Sequence, residues 1–193
     1  MKKLIAFFIS AILISSGSLM AQSYEVNNEA SSLSVLGTST LHDWKINADT
    51  IEGSAELVKK GETLTGIKSL ELYVPVVSMH SGLDAMDDHM RTAMTANGAS
   101  TVKFKLTKVI KITPNTIGGY TILAEGDLDI IGNTKPVRLQ VTLDKKEDGS
   151  CRFFGETMVD MMDYSVNPPT AEMGSIKTEK DVKIVFDVDF VEK

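Results

Sequence analysis

Along most of the chain, apolar and polar residues alternate with a period of two, which sends one set of side chains to a buried face and the other to a wetter one. Val182, Ile184, Phe186, Val188 and Phe190 alternate with Asp181, Lys183, Val185, Asp187 and Asp189. Val137, Leu139, Val141 and Leu143 do the same against Arg138, Gln140, Thr142 and Asp144, and so do Val102, Phe104 and Leu106 against Lys103, Lys105 and Thr107. Tyr120, Ile122, Ala124, Leu128 and Ile130 keep the phase across Gly126, where a glycine inside a strand predicts a bulge or a sharp coil. Less regular strands are expected over 33–41, 44–51, 53–58 and 67–77, the last interrupted by Pro75, which suits an edge or a bend. Turn residues separate them: Pro114-Asn115 with Gly118-Gly119, Gly132-Asn133, and Asp148-Gly149. The pattern predicts a mainly β domain of eight or nine antiparallel strands.

One segment has a different period. Leu83, Met86, Met90 and Met94 are spaced by three, four and four, a helical stripe. Ser81 can cap this helix with Asp84 in a short capping box, Asp84, Asp87 and Asp88 complement its dipole, Asp87 and Arg91 form an i, i+4 pair, and Asn97-Gly98 stops it. Many antiparallel strands leave exposed edges unless the sheet closes, so an antiparallel barrel with the helix packed at one end is expected. An eight-stranded barrel is either filled by its own side chains or able to hold one small ligand.

Composition narrows the partners. In 193 residues, 26 acidic against 20 basic side chains give a net charge of −6, with 42% hydrophobic and 24% charged residues, ordinary values for one globular domain. An acidic chain without a Lys/Arg cluster lacks the counter-charge that phosphate backbones demand, so no nucleic acid partner is expected. Lys2 and Lys3, an apolar run from Leu4 to Ile14, a small-residue stretch and a cut after Ala21 have the three-part design of a secretory signal. The expected organisation is a removable signal over 1–21 and one domain over 22–193, periplasmic or secreted and not an integral membrane protein. Cys151, the single cysteine, excludes a disulfide framework and reads as a small buried hydrophobe.

Several strings together resemble the YceI-like family of exported, lipocalin-like barrels. The most specific is Gly126-Asp127-Leu128-Asp129-Ile130-Ile131-Gly132-Asn133-Thr134-Lys135-Pro136-Val137, similar to that family's G-x-L-x-I-x-G-x-T-x-P-V hairpin. Supporting strings are Gly37-Thr38-Ser39-Thr40-Leu41-His42-Asp43-Trp44 with Gly53 behind it, Val102-Lys103-Phe104, and Asp163-Tyr164-Ser165-Val166. The resemblance implies an eight- or nine-stranded lipocalin-like barrel whose apolar interior takes up a long-chain amphiphile, a polyisoprenoid or an isoprenoid quinone, for storage or transport, with no other cofactor. The helix here is richer in methionine and acid than the family's usual one, and no proline precedes Val102.

On strand phase, Trp44, Ile46, Leu72, Val74, Phe104, Tyr120, Leu128, Phe153, Ile184 and Phe186 are expected to line a tunnel, although each would equally suit an ordinary core. Leu83, Met86, Met90 and Met94 on the helix, with Met161 and Tyr164 near the second methionine group (Met158, Met161, Met162), complete the candidate ligand-binding set, methionine being suited to variable apolar shapes. Two other classes remain open. His80, Asp84, Asp87, Asp88 and His89 could serve a metal-dependent hydrolase, although their spacing fits no metal-site template. A structural or stress-related barrel could use the segment Pro168 to Gly174 against a protein partner. No G-x-S-x-G, H-E-x-x-H, P-loop or G-x-G-x-x-G string occurs. A monomer and a homodimer are both compatible with the sequence.

Overall fold

The computed structural model describes residues 19–95, 98, 100–116 and 118–193; most of the expected signal, residues 1–18, lies outside them. In chain order the elements are β1 (Leu19–Val26), β2 (Ser32–Thr38), β3 (Asp43–Ala48), β4 (Glu52–Lys60), β5 (Thr63–Pro75), β6 (Met79–His80), α1 (Asp84–Thr95), β7 (Thr101–Pro114), β8 (Tyr120–Ile130), β9 (Asn133–Lys145), β10 (Cys151–Asp160), β11 (Thr170–Ala171), β12 (Ile176–Lys177) and β13 (Asp181–Glu192). Eight strands in the order β1-β4-β5-β7-β8-β9-β10-β13 form an antiparallel barrel, closed where Tyr24 to Val26 pair with Glu192 to Phe190. β13 also pairs with β2 through Lys183 to Asp187, and β3 and β6 continue the sheet from there.

β1 begins before the expected cut, since Leu19, Met20 and Ala21 pair with Lys60, Lys59 and Val58. A cut after Ala21 would shorten this ladder yet keep the residues that close the barrel.

Two early strands stop sooner than the sequence pattern suggested. β2 ends at Thr38 because Ser39 reverses the chain, its hydroxyl accepting from the Leu41 and His42 N–H groups (both 3.2 Å). β3 ends at Ala48, and past it the Ile51 N–H is taken by Asn28 Oδ1 (2.6 Å). In contrast, β7 runs on to Pro114. Its register slips by one residue against β8 between Leu106 and Lys108 and again between Val109 and Lys111. The inward series therefore becomes Val102, Phe104, Leu106, Val109, Ile112, and strict alternation is lost midway. β5 carries two such slips against β4, which gives it the same widened spacing from Leu64 through Ile67 to Leu70. Bulges on adjacent strands bend and coil the sheet, which closing a barrel requires.

The β8–β9 hairpin gives the characteristic string a physical reading. Leu128 and Ile130 point inward, the turn is Ile131-Gly132 rather than Gly132-Asn133, and Gly132 supplies a φ of +83°. Asp129 ties the turn by accepting from the Gly132 N–H (3.1 Å) and the Thr134 hydroxyl (2.7 Å). Ile131 itself has a φ of +50°, costly for a β-branched residue, and its buried side chain holds it there among Val159, Tyr164, Val166 and Val182. The bulge expected at Gly126 lies on its partner β7 instead.

α1 forms where the stripe predicted it, but its cap differs. Asp87, not Asp84, reaches back and accepts from both the N–H (2.7 Å) and the hydroxyl (2.6 Å) of Ser81. With Asp87 so engaged and buried, Arg91 turns to Asp88 (3.8 Å) in place of the expected pair. Gly98 stands beyond the helix with a φ of +74° and donates to Thr95 O (2.8 Å).

Candidate functional site

The barrel is solid at one end and hollow toward the other. Tyr24, Leu57, Leu143 and Cys151 are fully buried at the end that carries the β4–β5 and β9–β10 turns. Directly across the ladder from Leu143 and Cys151, Phe153 and Phe190 meet edge to face, with ring centroids 5.4 Å apart. From these rings a cavity of about 540 Å³ runs toward α1, walled by inward residues of β2, β3, β5, β7, β8, β9, β10 and β13. That volume falls in the range of sites that enclose a small organic ligand, about 300–1,000 Å³. Its wall is almost wholly aliphatic, aromatic or methionine, and its few polar members, Ser39, His42, His89, Thr157, Thr170 and Thr178, are far outnumbered.

Three inner-face glycines help keep this space open. Gly37 is paired across the ladder with Trp44, and a Cβ there would overlap the indole ring. Gly126 sits beneath the Phe104 ring in the same way, and Gly155, paired with Phe186, would place a Cβ 3.0 Å from that ring. Large rings can lie against the wall only where the neighbouring residue has no side chain. The glycines thus let aromatic surface line the cavity without filling it.

Residues that border the cavity and are also exposed locate its mouth. Leu41 (65% exposed) and Leu83 (60% exposed) do both, and His42, His89 and Thr170 share their position. The mouth is therefore framed by the turn after β2, the start of α1 and the β11–β12 hairpin. Met86, Met90 and Met94 of α1 face the cavity along the side of this opening.

The structure brings together on this wall Trp44, Ile46, Leu72, Val74, Leu83, Met86, Met90, Met94, Phe104, Leu128, Phe153, Met161, Ile184 and Phe186. Two residues expected there are elsewhere. Tyr120 points inward as its phase required, but at the solid end, where its hydroxyl accepts from the Leu64 N–H (3.0 Å). Tyr164 lies in the turn after β10, buried against Ile131 and Val166 behind the wall, where burial pushes its phenol up from the ordinary value. The sequence reading left Leu33 and Val35 of β2 and the β9 series, already placed on a buried face, out of the tunnel, and it missed Val109 and Ile112 beyond the β7 bulge as inward positions. Leu33 and Val35 were legible in their phase, whereas the bulge hid the β7 pair.

The residues of the metal-site alternative do not converge. His80 lies on β6, its Nδ1 3.3 Å from Asp49, His89 sits at the cavity mouth, and Asp87 is held by Ser81. Among the described residues, no group of three or more His, Cys, Asp or Glu is placed to hold a metal ion. Burial pushes the Cys151 thiol up from its ordinary value, which disfavours the thiolate a nucleophile needs. No described helix is long and apolar enough to cross a membrane.

Known structures share this architecture. A polyisoprenoid-binding domain from Saccharophagus degradans, implicated in plant cell wall breakdown, superposes with a TM-score of 0.67 at 15% identity, covering 89% of this chain and 99% of that one. BcnA of Burkholderia cenocepacia gives a TM-score of 0.65 at 17% identity, over 85% and 98% of the two chains. The YceI protein of Campylobacter jejuni gives 0.60 at 16% identity, over 77% and 84%. No curated protein matches the sequence. Identities this low carry the fold alone, but the family model for the YceI-like domain matches residues 24–190, nearly the whole described chain. This protein belongs to the YceI-like domain family.

Proposed function

We propose that the protein is an exported, non-enzymatic carrier that holds one long-chain isoprenoid amphiphile, a polyisoprenoid or an isoprenoid quinone, inside its barrel for storage or transport in the periplasm. The observation that carries this reading is the cavity of about 540 Å³, apolar from the Phe153–Phe190 floor to the Leu41–Leu83 mouth. The likeness to a polyisoprenoid-binding domain supports the ligand class.

The energetics favour a long tail over a short one. At about 0.8 kcal/mol per buried CH₂, ten tail carbons contribute on the order of 8 kcal/mol, against an association cost of about 4–15 kcal/mol. The floor is closed by packed rings, so the tail enters first and a polar head remains at the mouth, near His42, His89 and the threonines. Methionines along α1 adapt to the irregular outline of a methyl-branched chain.

The test is mass spectrometry of the organic extract from protein purified without detergent from an export-competent host, followed by titration of the stripped protein with an isoprenoid quinone. One long-chain isoprenoid per barrel and saturable uptake are expected. Clean protein that takes up no isoprenoid would overturn the reading. Mass spectrometry of the same exported sample locates the mature N-terminus, expected at or shortly before Gln22.

A further inference from the structure

We infer that the rim of the cavity is a lipid-docking surface: Leu41, Leu83 and Met173 insert into an electrically neutral bilayer, so that cargo passes between membrane and barrel without crossing water. The inference rests on the carrier reading above and adds the partner from which cargo is loaded.

Three observations carry it. First, Leu41 and Leu83 are large, apolar and more than half exposed, yet both continue directly into the cavity wall. Scattered exposed leucines need no explanation, but apolar side chains on two sides of one apolar mouth form a continuous path from solvent to cavity. Second, Met173 is fully exposed at the tip of the β11–β12 hairpin, held there with a φ of +53°, and residues at the base of that hairpin, Thr170 and Ile176, border the same cavity. Third, the Leu41 turn and this hairpin are braced to each other. The Thr40 N–H donates to Lys177 O (3.0 Å), the Thr40 hydroxyl to Ser175 O (3.3 Å), and Ser39 pairs with Thr178. The two apolar tips therefore belong to one tied unit rather than to independent loops.

Charge selects the kind of surface. Around the mouth Asp84 is exposed, Asp88 is paired with Arg91, Asp43 lies beside Lys45 and Lys183, and Lys177 is exposed on the hairpin. Acids and bases are thus interspersed, and the rim lacks the basic cluster that anionic membranes attract. Insertion of apolar side chains then has to supply the binding, as in interfacial anchors, and a neutral surface suits this rim better than an anionic one.

Flotation of the protein with ligand-free phosphatidylcholine vesicles reads docking independently of cargo. Wild type is expected to float. Leu41→Ser and Met173→Ser, both at exposed positions, should each weaken partitioning to the vesicles by roughly tenfold or more, about what burying one such side chain is worth, and the double variant by more still. Exchanging phosphatidylcholine for phosphatidylglycerol should weaken flotation. Met173→Ser leaves the cavity wall untouched, so it should slow quinone uptake from vesicles while final occupancy from detergent solution stays at the wild-type level. Wild-type flotation that survives the double variant, or none at all, would overturn the inference. Uptake from detergent without flotation would sink docking and leave the carrier, whereas flotation without any isoprenoid uptake would do the reverse.

Discussion

At the scale of single residues, the hollow interior depends on positions where a side chain is missing. Gly126→Ala would put a methyl group where the Phe104 ring lies, so the ring must swing into the cavity or the strands must part. Overpacking of this kind costs about 1–3 kcal/mol, and here it also shrinks the site. We expect weaker isoprenoid uptake together with a lower urea midpoint. Gly37→Ala offers an optical version of the test: Trp44 is the only tryptophan in the chain, and displacing its ring should shift its fluorescence emission. Unchanged emission and unchanged uptake would deny the glycines this role. A different residue problem sits outside the barrel, where Asp189 is buried and pairs with the half-exposed Lys146. Lys146→Met would leave that carboxylate without its cation, a loss expected to destabilise by about 1–3 kcal/mol in urea unfolding with no change in uptake.

At the scale of elements, α1 is tied down at its start by one carboxylate. The Asp87 carboxyl is held below the usual carboxylate range, chiefly by the bond from the Ser81 hydroxyl and further by the Ser81 N–H. A lowered value in the folded state means that this contribution is complete above the unfolded value, near about 4, and fades as pH falls through the folded one. The stability difference between wild type and Asp87→Asn should therefore be largest at neutral pH and shrink below about pH 4. A constant difference would mean that the ionised form of Asp87 does nothing special. The helix was legible in its 3-4-4 stripe because one face meets apolar surface and the other meets water. Its cap was not, because Asp84 and Asp87 are chemically equal and only the path of the chain decides which one reaches Ser81. The strands repeat this lesson. β8 and β13 kept strict alternation and were readable, while the two slips in β7 moved the inward series to Val109 and Ile112, a change that only pairing with β8 reveals.

At the scale of the whole molecule, periodicity told inside from outside but not height along the barrel, and height separates the plugged end from the cavity. Tyr120 and Leu128 share a strand and a face, yet Tyr120 packs into the plug and Leu128 borders the cavity, ten and two residues from the mouth-side end of β8 at Ile130. The proposed carrier role depends on that difference, because a barrel filled along its full length would have no room for a ligand. Ala124 offers a way to separate the two properties: it is a small wall residue between Ile122 above the plug and Leu128 nearer the mouth. Ala124→Phe projects a ring into open space rather than into packed neighbours, so the fold should persist with a comparable urea midpoint while uptake of isoprenoid falls. Ligand-induced stabilisation supplies the readout, since a ligand at 100 times its Kd raises the unfolding free energy of wild type by about 2.7 kcal/mol. The variant should lose most of that increment while its ligand-free melting temperature stays close to wild type. If both proteins gain equally from the isoprenoid, the ligand binds outside the cavity and the barrel's interior has some other use.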